Sequence, residues 1–120
     1  PESRTLLLLK PWWHIEIVRQ LRRSDFDPKP KVDSVFLSMA RHSRPLVEDS
    51  DSFSYKQFIT RSFGIRGNTL RQCLRTSLTG RQIGRLSDFL RFSSSAPPSS
   101  FTIDQWLGLF RYVLQDRRNV

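Results

Sequence analysis

At 120 residues the chain has room for one domain with a buried core, and 38% hydrophobic with 12% aromatic content excludes a wholly disordered basic tail. Sixteen Arg and four Lys oppose eleven acidic residues, a formal charge of +9. The Arg bias favours a polyanionic or acidic partner, because a planar guanidinium grips phosphate or carboxylate through paired hydrogen bonds.

The chain opens on Pro1 without an initiator Met, as an excerpt of something longer would. The apolar run Leu6 to Leu9 falls short of the ~20 residues that cross a bilayer and of the ~7–15 of a signal-peptide core. No membrane partner is expected. Pro11 suits a first helical position, and Trp13, Ile17, Val18 and Leu21 then recur at helical spacing. They predict a helix over about residues 11–23 that stops before Asp27-Pro28-Lys29-Pro30. Trp12 and Trp13 are consecutive, so one narrow helix face cannot bury both. They are the candidate partner-binding residues, with a wide apolar core face as the plainer alternative.

Asp33 reads as the N-cap of a second helix, "SVFLSMARH", with Val35, Phe36, Met39 and Ala40 on one side. An acidic loop follows through Glu48, Asp49 and Asp51. A third helix, "YKQFITRSF", is expected to bury Phe53, Phe58 and Ile59 and to stop at Gly64 as its C-cap. Asn68 is expected to cap a fourth helix whose Leu70, Cys73, Leu74 and Leu78 make an apolar stripe, which marks Cys73 as a small buried hydrophobe. Thr79 with Gln82, and Thr102 with Gln105, form capping boxes opening two further helices. The first would bury Ile83, Leu86, Phe89 and Leu90; the second would bury Ile103, Trp106, Leu107, Phe110, Val113 and Leu114. Between them "SSSAPPSS", residues 93–100, reads as a flexible connector. The expected fold is all-α: a single domain over 1–120, an irregular bundle of about five or six short helices.

No chemistry stands out. His14 and His42 lack companions at ligand spacing, and the lone Cys73 excludes a disulfide framework or a cysteine-rich zinc site, so no metal is expected. There is no P-loop, no G-x-G-x-x-G and no nucleophile elbow. The expectation is a non-enzymatic protein with no catalytic residue, no cofactor and no small-molecule substrate, in a reducing compartment.

The arginines admit several readings. Arg71 and Arg75 are an i, i+4 pair, and Arg81 and Arg85 fall opposite Ile83 and Leu86; solvated helix backs explain all four. Gly64-Ile65-Arg66-Gly67 resembles the G-x-x-G loop of KH RNA-binding domains. That resemblance implies RNA-backbone contact by Gly64, Arg66 and Gly67; in a direct RNA-binding module the basic face of Arg71, Arg75, Arg81 and Arg85 would join them. A helix-turn-helix is a related reading of the same segment. Over Phe53 to Leu114, the succession "FITRSF", "LRQCLRTSLT", "IGRLSDFLRF" and a closing Trp-bearing helix resembles the C-terminal helical domains of nucleolar small-subunit processome subunits. It implies a protein–protein scaffold in a ribonucleoprotein assembly active in ribosome biogenesis, with other subunits and RNA as partners and a nuclear or nucleolar location. A viral or signalling helical adaptor is the third reading.

Overall fold

The computed structural model describes residues 3–25, 27–28, 34–64 and 69–118. In chain order these form helix α1 (Arg4–Leu9), strand β1 (Trp13–Leu21), strand β2 (Ser34–Arg41) and helices α2 (Ser52–Gly64), α3 (Leu70–Leu74), α4 (Gly80–Leu90) and α5 (Ile103–Arg118). Short 3-10 turns lie at Arg23–Asp25, Asp49–Asp51 and Pro98–Ser100.

The all-α expectation is therefore corrected: the first two expected helices are the strands of an antiparallel hairpin. "HIEIV" is rich in β-branched residues, whose stiff χ1 suits a pleated surface. Trp13, Ile15 and Ile17 pair with Arg41, Met39 and Leu37 on one face. The ladder then jumps from Ile17↔Leu37 to Arg19↔Phe36, leaving Val18 as an extra residue at a β-bulge. The bulge interrupts the period of two, which is why the apolar positions mimic helical spacing. Strand β2 hides its period differently, since Val35, Phe36, Leu37 and Met39 put apolar groups on both faces. These four, with Ile17 and Val18, are exposed.

The core lies in the helices. Tyr55, Phe58 and Ile59 of α2 meet Leu70 and Leu74 of α3, Ile83 and Leu86 of α4, and Trp106, Leu109, Phe110 and Val113 of α5. Edge-to-face ring pairs run through it: Trp12–Tyr55 at 5.8 Å, Tyr55–Phe110 at 5.2 Å and Phe101–Trp106 at 5.1 Å between centroids. Helix α1 is tied down by a polar contact as well. Its Leu7 carbonyl would look to residue 11 for an i→i+4 donor, but Pro11 has no N–H. Tyr55 Oη donates to that carbonyl instead, at 2.6 Å, in a buried setting.

Both capping boxes form. Thr79 and Gln82 exchange side-chain-to-backbone hydrogen bonds at the start of α4. Thr102 and Gln105 do the same for α5. A third box caps α3, built by Thr69 and Gln72, so the N-cap is Thr69 and not the expected Asn68, which itself lies outside the described residues. Residues 93–100 run alongside α3, where Leu70 N–H donates to the Ala96 carbonyl at 2.8 Å and Arg71 N–H to that of Ser94 at 2.9 Å. These bonds satisfy two of the donors a helix N-terminus leaves open. Two residues expected to be inward are not: Phe53 and Phe89 are 71% and 82% exposed.

Candidate nucleic-acid interface

The arginines singled out from the sequence are presented by α3 and α4. The short α3 carries Arg71 and ends on Arg75 as its C-cap; α4 carries Arg81 and Arg85 one turn apart. All four are exposed, so their guanidinium groups stay hydrated until a ligand arrives. Arg71 is partly positioned, because its Nη2 donates to Ser94 Oγ at 3.3 Å. No ion pair engages these four among the described residues. Gly64 is the exposed last residue of α2, and no described glycine has positive φ, so the left-handed C-cap expected at Gly64 is not formed. Arg66 and Gly67 lie outside the described residues. The described strands form a two-stranded hairpin, unlike the three-stranded sheet of a KH domain.

The two tryptophans take different roles. Trp12 is buried, with its ring edge-on to Tyr55 and Lys56 Nζ 5.4 Å from its centroid. Trp13 is half-buried at the start of β1, and the Arg41 guanidinium sits 5.5 Å from its ring centroid. Cations over aromatic faces are held by the ring quadrupole. Trp12, Trp13, Arg41, Lys56 and Asp49 line a cleft of about 290 Å³. Sequence reasoning missed Arg41 and Lys56: only strand pairing brings Arg41 opposite Trp13, and no local spacing announces it.

Chemistry-bearing groups are sparse. Among the described residues no three His, Cys, Asp or Glu converge as a metal site, and no helix is long and apolar enough to cross a membrane. Cys73 is buried, and burial pushes its thiol pKa up, away from the reactive thiolate. His14 Nε2 and Glu16 Oε1 lie 2.7 Å apart on the exposed strand β1, with no nucleophile beside them in any described contact.

Similarity to known proteins supplies what the side chains leave open. Residues 2–115 match the family model for ribosomal RNA adenine dimethylase. The mycinamicin-resistance protein MyrB of Micromonospora griseorubida is 30% identical over 101 residues, 84% of this chain and 32% of that protein. An rRNA adenine N-6-methyltransferase of Saccharopolyspora erythraea is 29% identical over 118 residues, 98% of this chain and 30% of that one. Ribosomal RNA small subunit methyltransferase A of Geobacter metallireducens is 27% identical over 106 residues, 84% and 38% respectively. The crystal structure of the 23S rRNA methyltransferase ErmE superposes with a TM-score of 0.73 at 26% identity, covering 92% of this chain and 46% of that one. The chain thus spans about a third of the length of these curated relatives.

These matches overturn four expectations. The likeness to nucleolar processome subunits was one of element order, which many helical proteins share, whereas the family match runs through the hairpin and the helices alike. The non-enzymatic scaffold reading falls because the relatives are methyltransferases. With it goes the expectation of no small-molecule substrate, since the reaction those relatives are named for consumes a methyl donor. The nuclear or nucleolar placement falls because the relatives are bacterial. By a match that covers the chain almost end to end, it belongs to the ribosomal RNA adenine dimethylase family.

Proposed function

We propose that this chain is part of an rRNA adenine N6-dimethyltransferase and that its α3–α4 face contributes to holding the RNA. The observation that carries the reading is the family match over residues 2–115. The exposed Arg71, Arg75, Arg81 and Arg85 support it, because phosphate contacts position an RNA without reading its sequence. An adenine inside a stem cannot present its exocyclic amine to a methyl donor, so the RNA must be held while the target base is taken out of its stack.

S-adenosylmethionine is the donor such an enzyme would use. Among the described residues no glycine-rich strand-to-helix turn followed by a ribose-binding carboxylate is present, so these residues do not fit it, and no step of methyl transfer is assigned to them.

Two measurements test the proposal. Ribosomal RNA from cells with and without the coding gene, digested to nucleosides, should differ in N6,N6-dimethyladenosine; identical content would overturn the activity. For the RNA-holding face, the Arg71→Glu, Arg75→Glu double variant should weaken rRNA binding and flatten its dependence on salt, by about 0.7–0.9 of a log–log slope unit per lost phosphate contact. An unchanged slope would exclude these two arginines from the interface.

A further inference from the structure

We propose that the groove between α4 and α5 seats a single unstacked RNA base, an inference that rests on the rRNA reading above and gives that RNA a second point of attachment. The groove has a volume of about 420 Å³ and is lined by Arg85, Leu86, Phe89 and Leu90 of α4 and by Gly108, Tyr112 and Gln115 of α5. That volume falls in the ~300–1,000 Å³ range of clefts that hold small ligands. Leu86, Leu90 and Gly108 are its apolar lining, and glycine matters there. A Cβ on Gly108 would come within 3.1 Å of Leu90 Cδ2, so a larger residue would displace Leu90 or fill the groove.

The walls are aromatic. Phe89 belongs to α4 yet is 82% exposed, while Leu86 on the same helix is buried. An apolar ring left in water beside an open groove is a surface waiting for a flat partner, and nucleobases stack on such rings irrespective of sequence. Tyr112 lines the groove from α5 and is steadied by Gln82, whose Nε2 donates to Tyr112 Oη at 3.4 Å. Gln115 offers a carboxamide donor and acceptor to a base edge.

Charge favours an anionic occupant, and the rRNA reading makes that occupant RNA. The lining contains Arg85 and no carboxylate. Arg81, Arg85 and Phe89 follow one another at four-residue spacing along one face of α4, about 6 Å per step. Two guanidinium groups therefore lead up to the stacking ring, outnumbering the exposed Asp88 on the same side of α4, and are placed for the phosphates that flank a splayed base. The exposed Arg111, next to Tyr112 on α5, adds a third cation. None of the three is in an ion pair among the described residues.

The test is a titration of the chain, at low salt, with a short oligouridine carrying one central 2-aminopurine, a base whose fluorescence is quenched by stacking. Wild-type protein should quench it on binding. Phe89→Ala should lose the quench and bind about 5- to 100-fold more weakly, while Phe89→Trp, which keeps a stacking face, should retain both. The exposed position makes both variants foldable, as circular dichroism would confirm. If Phe89→Ala binds and quenches like wild type, the groove is not the base seat, while the rRNA reading stands. If wild type binds no RNA, the groove proposal and the RNA-holding role of the α3–α4 face both fall, leaving the dimethyladenosine measurement to judge the activity independently.

Discussion

Three buried residues carry consequences that their neighbours decide. Tyr55 supplies the donor that Pro11 cannot, so Tyr55→Phe removes the hydroxyl bound to the Leu7 carbonyl and leaves a buried acceptor unsatisfied. The expected loss is about 1–3 kcal/mol in urea unfolding; a loss below about 0.5 kcal/mol would mean that another group takes over the carbonyl. Trp106 differs, being fully buried with an Nε1–H that has no partner among the described residues. Trp106→Phe deletes that orphan donor along with some ring area, so it should cost much less than Trp106→Ala, for which about 3–5 kcal/mol is expected. Cys73 is buried with a raised thiol pKa. The native protein should resist a maleimide at pH 7 and react once unfolded. Because the folded pKa lies above the ordinary value of 9.0, the stabilising effect of the neutral thiol is complete below that pH and declines as pH rises beyond it.

Elements were legible where a local rule is strong and local. The capping boxes of Thr79–Gln82 and Thr102–Gln105 marked the starts of α4 and α5, and the stripe Leu70, Cys73, Leu74 marked the inner side of α3, because these patterns need only residues within a turn of one another. The hairpin was not legible, because its defining partners lie across the ladder and a bulge at Val18 scrambles the alternation that would have announced β1. The arginine-bearing helices of the proposed RNA face were readable from periodicity, but the aromatic groove was not. Helical spacing put Phe89 inward with Leu86 and Leu90, and only the line along which α5 packs on α4 decides that it faces water. The end of α4 went unread as well. Its C-cap is Arg91 at φ 57°, in the left-handed region without being glycine, a conformation that costs an L residue roughly 1–2 kcal/mol. Arg91→Gly should therefore raise stability, by up to about 1 kcal/mol once glycine's larger unfolded-state entropy is subtracted. Arg91→Val should lower it, since a β-branched residue tolerates that region worst. The midpoints of urea unfolding check both, and a stability loss for glycine equal to that for valine would show that the Arg91 side chain, not its backbone, holds the turn.

At the scale of the whole molecule, two parts of unequal support share one chain. The helical body is bound by a continuous aromatic and aliphatic core, whereas the hairpin extends from it with Ile17, Val35, Phe36, Leu37 and Met39 exposed. A two-stranded hairpin is marginal without a third element to cover one face, and the overall dimensions of 56 × 34 × 22 Å reflect its protrusion. The hairpin is anchored mainly at its base, where His42 N–H donates to the Trp12 carbonyl at 2.9 Å, His42 Nε2 lies 3.1 Å from the Lys10 carbonyl, and Trp12 packs on Tyr55. Opening should therefore start at the far end of the ladder and stop near Trp12. Amide hydrogen exchange on the chain should show residues such as Ile17 and Leu37 exchanging through local opening, at least tenfold faster than Phe58 and Leu109, which is about 1.4 kcal/mol less opening free energy. Protection of the hairpin equal to that of Phe58 would show instead that its apolar face is covered in solution. In that case changing Leu37 and Met39 to Lys should restore fast exchange in β1 and β2 while leaving the helical body as slow as before.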